Sequence, residues 1–253
     1  MGLAGSSFAI VTWNLQGSRG VDAEGMSGVL DAVRPDVIAL QEVERGQARR
    51  LAAALGDASM RWAFKHFSWR TWPEGLAVLT PHRLTSATPF VLRRGTWFSW
   101  RRRVGIDAVI ERDGDAVGVI DVHLSPHEAS ALRVAEVGLV RTRVGARALT
   151  PMLVGDFNEL PGGPAAAALQ AGGWLDAWTL AAGSDGGDGA TNWTAGNRRG
   201  RPPTQRLDYV FVPPGWVVDE ARVLADPDRY DWFAERSDHV PLLVRCHRAE
   251  MVP

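Results

Sequence analysis

Residues 152–158 read Met-Leu-Val-Gly-Asp-Phe-Asn. Met152 to Val154 is a short apolar run, which reads as a buried strand. It ends in an acid and an amide, Asp156 and Asn158. The same pattern recurs along the chain. Asn14 follows the run Phe8 to Trp13, Glu42 follows Val37 to Leu40, and His123 closes Val117 to Val122. Asp208 sits in Arg-Leu-Asp-Tyr-Val-Phe-Val, and Asp238 and His239 precede Val240 to Val244.

Outward from these runs, further strands are predicted at Leu76 to Thr80, Thr85 to Val91, Val104 to Glu111 and Trp216 to Leu224, so sheets form the core of a mixed α/β fold. Helical segments are predicted around Met26 to Val33, Gln47 to Leu55, Glu128 to Ala146 and Pro164 to Ala171. The third carries Val134, Val137, Val140 and Val144 at three- and four-residue spacing, one apolar stripe to cover a sheet. The fourth opens on Pro at a favoured first-turn position. There is no internal repeat. The Gly-rich stretch Gly183 to Gly189 reads as a surface loop, so residues 1–253 are expected to form a single domain with its core at about 8–245.

Composition fits that reading. The chain has 253 residues, 45% hydrophobic and 23% charged, with net charge −1, a profile able to bury a sizeable core. The single Cys246 forms no internal disulfide, and its apolar run marks it as buried; a reducing, cytoplasmic compartment is expected. No stretch has the make-up of a secretory leader or a membrane span, so secretion and membrane insertion are not expected. Gly2 and Ser6 fit the myristoylation pattern, which recurs by chance. Lys65 is the one Lys among many Arg, a bias that genome composition can produce.

Taken singly, each polar strand-end residue is explained by helix capping or turn formation. Together they are not. Four carboxylates, two amides and two imidazoles at strand ends would repel or desolvate one another unless a cation neutralised them. Oxygen ligands without paired Cys or His spacing suit Mg²⁺ or Mn²⁺ better than zinc.

Thr-Trp-Asn-Leu-Gln at 12–16, Leu-Gln-Glu-Val at 40–43, Asp-Val-His-Leu at 121–124, Gly-Asp-Phe-Asn at 155–158, Leu-Asp-Tyr-Val-Phe at 207–211 and Ser-Asp-His at 237–239 resemble the endonuclease/exonuclease/phosphatase superfamily, the DNase I-like group. Each motif is short, but six occur in order over roughly residues 8 to 245. The resemblance implies a four-layer α/β sandwich, two mixed β-sheets packed face to face with helices outside.

It also implies roles. Glu42 would be the principal metal ligand, with Asn14 beside it and Asp238 acting directly or through water. His239 would face the phosphorus and Asp208 would fix its tautomer. Asp156 would orient or deprotonate the attacking water, the general base being either His239 or Asp156. Asn158 would donate to a non-bridging oxygen, and His123 would donate to the phosphate or assist the leaving oxygen. The reaction implied is in-line hydrolysis without a covalent enzyme intermediate. Arg103 is read equally as a phosphate contact or an ordinary surface Arg, and Gln41 as a structural hydrogen-bonding residue. His66, His82, His127 and His247 match no motif and are expected on the surface or in loops.

For the substrate, Arg61 to Arg103 carries nine Lys or Arg against the lone Glu74, with Trp62, Trp69, Trp72, Trp97 and Trp100 interleaved. Arg neutralises phosphates and Trp stacks on bases or lodges among lipid head groups; the plainer reading is core Trp and a solvated Arg rim. Arg198, Arg199, Arg201 and Arg206 form a second basic group before Asp208. The leading expectation is a Mg²⁺-dependent phosphodiesterase of nuclease type. The rival is an enzyme for a phospholipid or small phosphate ester, and a non-catalytic phosphate-binding scaffold is the third reading. Apurinic-site nucleases differ after the position of Asn14 and in the strand of His123, secreted nucleases carry disulfides, and the lipid and inositol-phosphate phosphatases have longer motifs not found here.

Overall fold

The computed structural model describes residues 7–67, 73–94, 102–126, 128–145, 147–181, 187–194, 198 and 200–249. Among these residues twelve strands form two six-stranded sheets. The first contains β1 (Phe8–Asn14), β2 (Val37–Glu44), β3 (Ser59–Phe67), β4 (Pro73–Thr80), β11 (Trp216–Val223) and β12 (Leu242–Arg248), in the order β11-β12-β1-β2-β4-β3. The second contains β5 (Arg83–Arg93), β6 (Arg103–Arg112), β7 (Asp115–His123), β8 (Met152–Asp156), β9 (Leu175–Asp176) and β10 (Asp208–Val212), in the order β5-β6-β7-β8-β10-β9.

Alternation within the buried strands builds the layers. In β1, Phe8 and Ile10 enter the core between the sheets, while Ala9, Val11 and Trp13 face the other way. There they meet α1 (Ala23–Asp31), α2 (Arg45–Ala54) and α6 (Tyr230–Arg236) through Met26, Leu30, Leu51 and Phe233. On the far side, Ile120, Val122, Leu153 and Phe211 pack against α3 (Ser130–Gly145) and α4 (Pro164–Gln170). The result is the four-layer α/β sandwich. Strands buried on both faces explain why the sequence shows continuous apolar runs.

In each sheet the central pair is parallel, β1 with β2 and β7 with β8, and every flanking pair is antiparallel. Parallel neighbours place their C-terminal ends at one edge. Antiparallel β10 and β12 therefore begin at the same edge, Asp208 opposite Asp156 and Leu242 opposite Thr12.

Some details differ from the sequence reading. Strands β3 and β9 and helices α5 (Ala177–Leu180) and α6 were not predicted; β9, α5 and α6 are too short for periodicity, and the alternation of β3 breaks. The α3 stripe keeps Val137, Val140 and Val144, but Val134 is exposed, and Arg133 and Glu136 are buried instead. They hold the loop ends: Glu136 accepts from Ser125 N, and Arg133 donates to Pro126 O and pairs with Glu159. His66 is buried within β3, and His247 lies in β12 beside Asp219. His82 is half-buried, 2.6 Å from Asp36. His127 and most of the Gly183 to Gly189 stretch lie outside the described residues. Cys246 is buried. Among the described residues no helix is long and apolar enough to cross a membrane.

Candidate active site

The common edge of the central strands gathers the polar strand ends. Asn14 ends β1, Glu42 lies near the end of β2, His123 ends β7 and Asp156 ends β8, with His123 and Asp156 in register. Asp208 opens β10, and Asp238 and His239 lie just before β12. With Asn158, all but Asp208 line one cleft of about 400 Å³. A larger hollow of about 560 Å³ beside β5 and α3 holds none of them, and its Arg143 and Arg147 both pair with Asp107.

Local backbone irregularity aims these side chains. The β2–β4 register slips between Leu40 and Val43, and Glu42 in that slip has φ +52°. Asn158 has φ +49° and Gln16 φ +43°. Non-glycine residues in this region cost about 1–3 kcal/mol each and persist where surroundings enforce them. At Asn158 the enforcement is visible: its N–H donates to Asp156 Oδ1 at 2.8 Å and its side chain to Leu124 O at 3.2 Å.

Asp156 stands at the centre. Asn14 Nδ2 donates to its Oδ2 at 3.0 Å, and His123 Nε2 and His239 Nε2 lie 3.5 and 3.8 Å from the same oxygen. Burial raises its proton affinity, and the Asp208 charge adds to that, against His239. His239 donates through Nδ1 to Asp208 Oδ2 at 2.7 Å. Burial alone would disfavour the charged ring, but Asp208 and Asp156 outweigh it and lift the pKa to about 10. Burial moves His123 the opposite way, well below the ordinary histidine value, with Lys65 and Arg103 adding to the shift.

Supporting residues not singled out from the sequence clamp this geometry. Ser237 Oγ donates to Asn14 O at 2.6 Å and accepts from His239 N at 3.0 Å. Trp13 Nε1 donates to His239 O, and Thr191 Oγ1 accepts from Asp208 N. Ser237 was readable as part of Ser-Asp-His; Thr191 carries no local signal. Gln41 is fully buried, donating to Asp121 Oδ1 at 2.7 Å across the two sheets. Asp121 itself is held well above the usual carboxylate range by burial.

Glu42, Asn14 and Asp238 share the cleft wall. Asp238 accepts from Gln16 Nε2 at 3.3 Å and lies 3.6 Å from Arg198. Burial raises the proton affinity of Glu42, and Glu74, Asp238 and Asp156 raise it further against the lowering effect of Lys65. Arg103 is 6% exposed, so it is not a surface Arg; its Nε and one terminal nitrogen have no hydrogen-bond partner among the described residues. Of the basic segments, Trp62 is half-buried, and Trp69, Trp72, Trp97, Trp100 and Arg199 lie outside the described residues. Arg206 is buried against Asp176 at 2.8 Å and does not line the cleft, whereas Arg198 does.

A fold of two mixed sheets with this edge cluster defines a phosphoester hydrolase class. The chain belongs to the endonuclease/exonuclease/phosphatase family, whose model matches residues 11–239. Solved structures agree in fold. A family protein from Bacteroides thetaiotaomicron has 18% identity and TM-score 0.76, covering 97% of this chain and 99% of that one. A mannosyl-6-phosphatase from the same species has 18% identity and TM-score 0.74, covering 94% and 99%. The human Nocturnin catalytic domain with bound sulfate has 20% identity and TM-score 0.69, covering 95% and 94%. Comparison with curated proteins by sequence gives no match.

Proposed function

We propose that the protein is a Mg²⁺-dependent phosphodiesterase, Mn²⁺ being a possible substitute, that cleaves nucleic-acid phosphodiesters by attack of water. The observation that carries the reading is the row Asp208, His239, Asp156, His123, in which one carboxylate lies between two imidazoles at 3.8 and 3.5 Å. Asp156 is the group that accepts the proton of the attacking water. His239, charged and steered by Asp208, donates to a developing phosphate charge. Asn158 and Arg103 add donors to the non-bridging oxygens, and His123 donates from the opposite side of Asp156.

The donor chemistry fits a hard divalent cation. Glu42 feels the charges of Glu74, Asp238 and Asp156 as well as that of Lys65, and a divalent cation would relieve the repulsion among these carboxylates. Mg²⁺ sites are built from one or two carboxylates and water, and Glu42 and Asp238 bring two carboxylates to the cleft wall. Glu42, Asn14 and Asp238 would hold the ion. When bound it would neutralise phosphate charge and orient the ester.

Arg198 on the cleft wall, Arg103 buried within reach of the charges of Asp156 and Glu42, and the basic balance of residues 61–103 support a polyanionic substrate. A small phosphate ester is the second reading, favoured by the cleft volume of about 400 Å³ and by the structural likeness to a mannosyl-6-phosphatase. The test is hydrolysis of bis-(p-nitrophenyl) phosphate with and without Mg²⁺, followed by single- and double-stranded DNA, RNA, a phospholipid and a sugar phosphate. Loss of turnover in EDTA and in Glu42→Gln supports the metal site; full turnover in either overturns it. Preference for the sugar phosphate over every diester overturns the nucleic-acid reading.

A further inference from the structure

Lys65 is 2% exposed and belongs to none of the sequence motifs. The β3–β4 register slips between Phe64 and His66, leaving Lys65 as the extra residue of a bulge. A bulge redirects a side chain, and here it breaks the alternation: Lys65 and His66 are both buried, although neighbours in a strand face opposite ways. The Lys65 ammonium lies 2.8 Å from Glu74 Oε1, 3.2 Å from His123 Nδ1 and 3.7 Å from Glu42 Oε1.

An ammonium has three donors and no acceptor. The ring nitrogen 3.2 Å away must therefore present its lone pair, so the remaining proton of the neutral ring is on Nε2. That nitrogen turns to the cleft wall, and the nearest carboxylate oxygens, on Asp156 and Glu42, are 3.5 and 3.9 Å away, beyond ordinary hydrogen-bond length.

We propose that Lys65 is a positioning residue that fixes His123 as the Nε2–H tautomer, making it a hydrogen-bond donor for a phosphate oxygen and barring it from acting as a base or metal ligand. The proposal rests on the phosphodiesterase reading above and says what holds the His123 proton on the donating nitrogen. Glu74 anchors the lysine, and the bulge in β3 delivers it. Lys65 thereby acts through His123 rather than on substrate.

The tautomer is read directly by NMR of the metal-free, full-length protein labelled with ¹⁵N-histidine, the His123 signals being identified by their loss in His123→Asn. The expected pattern is a protonated Nε2 and an unprotonated Nδ1. A protonated Nδ1 in the wild type overturns the proposal without any variant having to fold. Lys65→Met should shift the ring toward Nδ1–H and lower kcat on bis-(p-nitrophenyl) phosphate by up to about 100-fold, the scale of a misplaced group, with KM unchanged. Lys65→Arg, which also offers only donors, should retain the tautomer. An unaltered tautomer in Lys65→Met overturns the proposal. Absence of phosphoester turnover in the wild type would instead remove the functional reading, while the spectrum still decides the tautomer.

Discussion

His239 Nδ1 meets Asp208 Oδ2 at 2.7 Å with both side chains buried. The carboxylate accepts and the ring donates, which fixes the ring plane and favours its charged form. Asp208→Asn keeps the shape but removes the charge. Turnover should fall by about 10²-fold or more, the scale of a lost acid or base function, and the His239 pKa should drop from about 10 toward 6.5 in an NMR titration. A titration unchanged by the substitution would separate the two residues functionally.

The same pair sets a pH dependence of stability. A histidine whose folded pKa is raised adds stability that is complete below its unfolded value and is lost as pH rises through the folded one. For His239 the window runs from 6.5 to about 10. The melting temperature of the metal-free protein should therefore decline across that window, and the decline should be shallower in Asp208→Asn.

Asp121 offers an independent test in the interior. Its Oδ1 accepts from Gln41, its Oδ2 has no hydrogen-bond partner among the described residues, and burial raises its pKa well above the ordinary value. Stability from such a group is present below pH 3.8 and is lost as pH rises through the raised folded value. Asp121→Asn removes the ionisation while keeping an oxygen for Gln41. Its melting temperature should exceed that of the wild type by more at pH 8 than at pH 4, and an equal difference at both would contradict the assignment.

Metal binding should register in stability as well as in turnover. A ligand that binds only the folded state adds about 2.7 kcal/mol at a hundredfold excess over its Kd. Mg²⁺ should raise the melting temperature of the wild type, and Glu42→Gln should abolish most of that rise. An equal rise in the variant would place the ion elsewhere.

How much of this was legible beforehand depended on the kind of signal. Asn14, Glu42, His123, Asp156, Asn158, Asp238 and His239 were found because each adjoins a buried apolar run, and the parallel centres of both sheets bring those ends to one cleft. Lys65 was visible only as the sole lysine of an Arg-rich chain. Its inward aim comes from a bulge between Phe64 and His66, and a register slip leaves no mark in hydrophobic alternation except a break in it. Arg103 looked equally like surface, since burial of a charge depends on the carboxylates around it. Thr191 reaches Asp208 from another part of the chain, a contact that no local pattern encodes.

Gly155, within the stretch Val154-Gly155-Asp156, is where strand geometry and chemistry meet most tightly. Its φ is +132°, a conformation L side chains rarely adopt, and a Cβ there would lie 2.0 Å from Val122 O. The obstruction is backbone of the neighbouring β7, one residue before His123, so it has no flexible side chain to move aside. Gly155→Ala must either part β7 from β8 or twist Asp156 away from His123, its register partner. Overpacking and backbone strain together should cost on the order of 2–5 kcal/mol in denaturant unfolding. Folded protein that remains should turn over slowly, because the Asp156 carboxylate no longer stands between the two imidazoles. A variant with wild-type stability and turnover would show that β7 and β8 yield at this point, and that the proximity of Asp156 to His123 does not depend on the glycine.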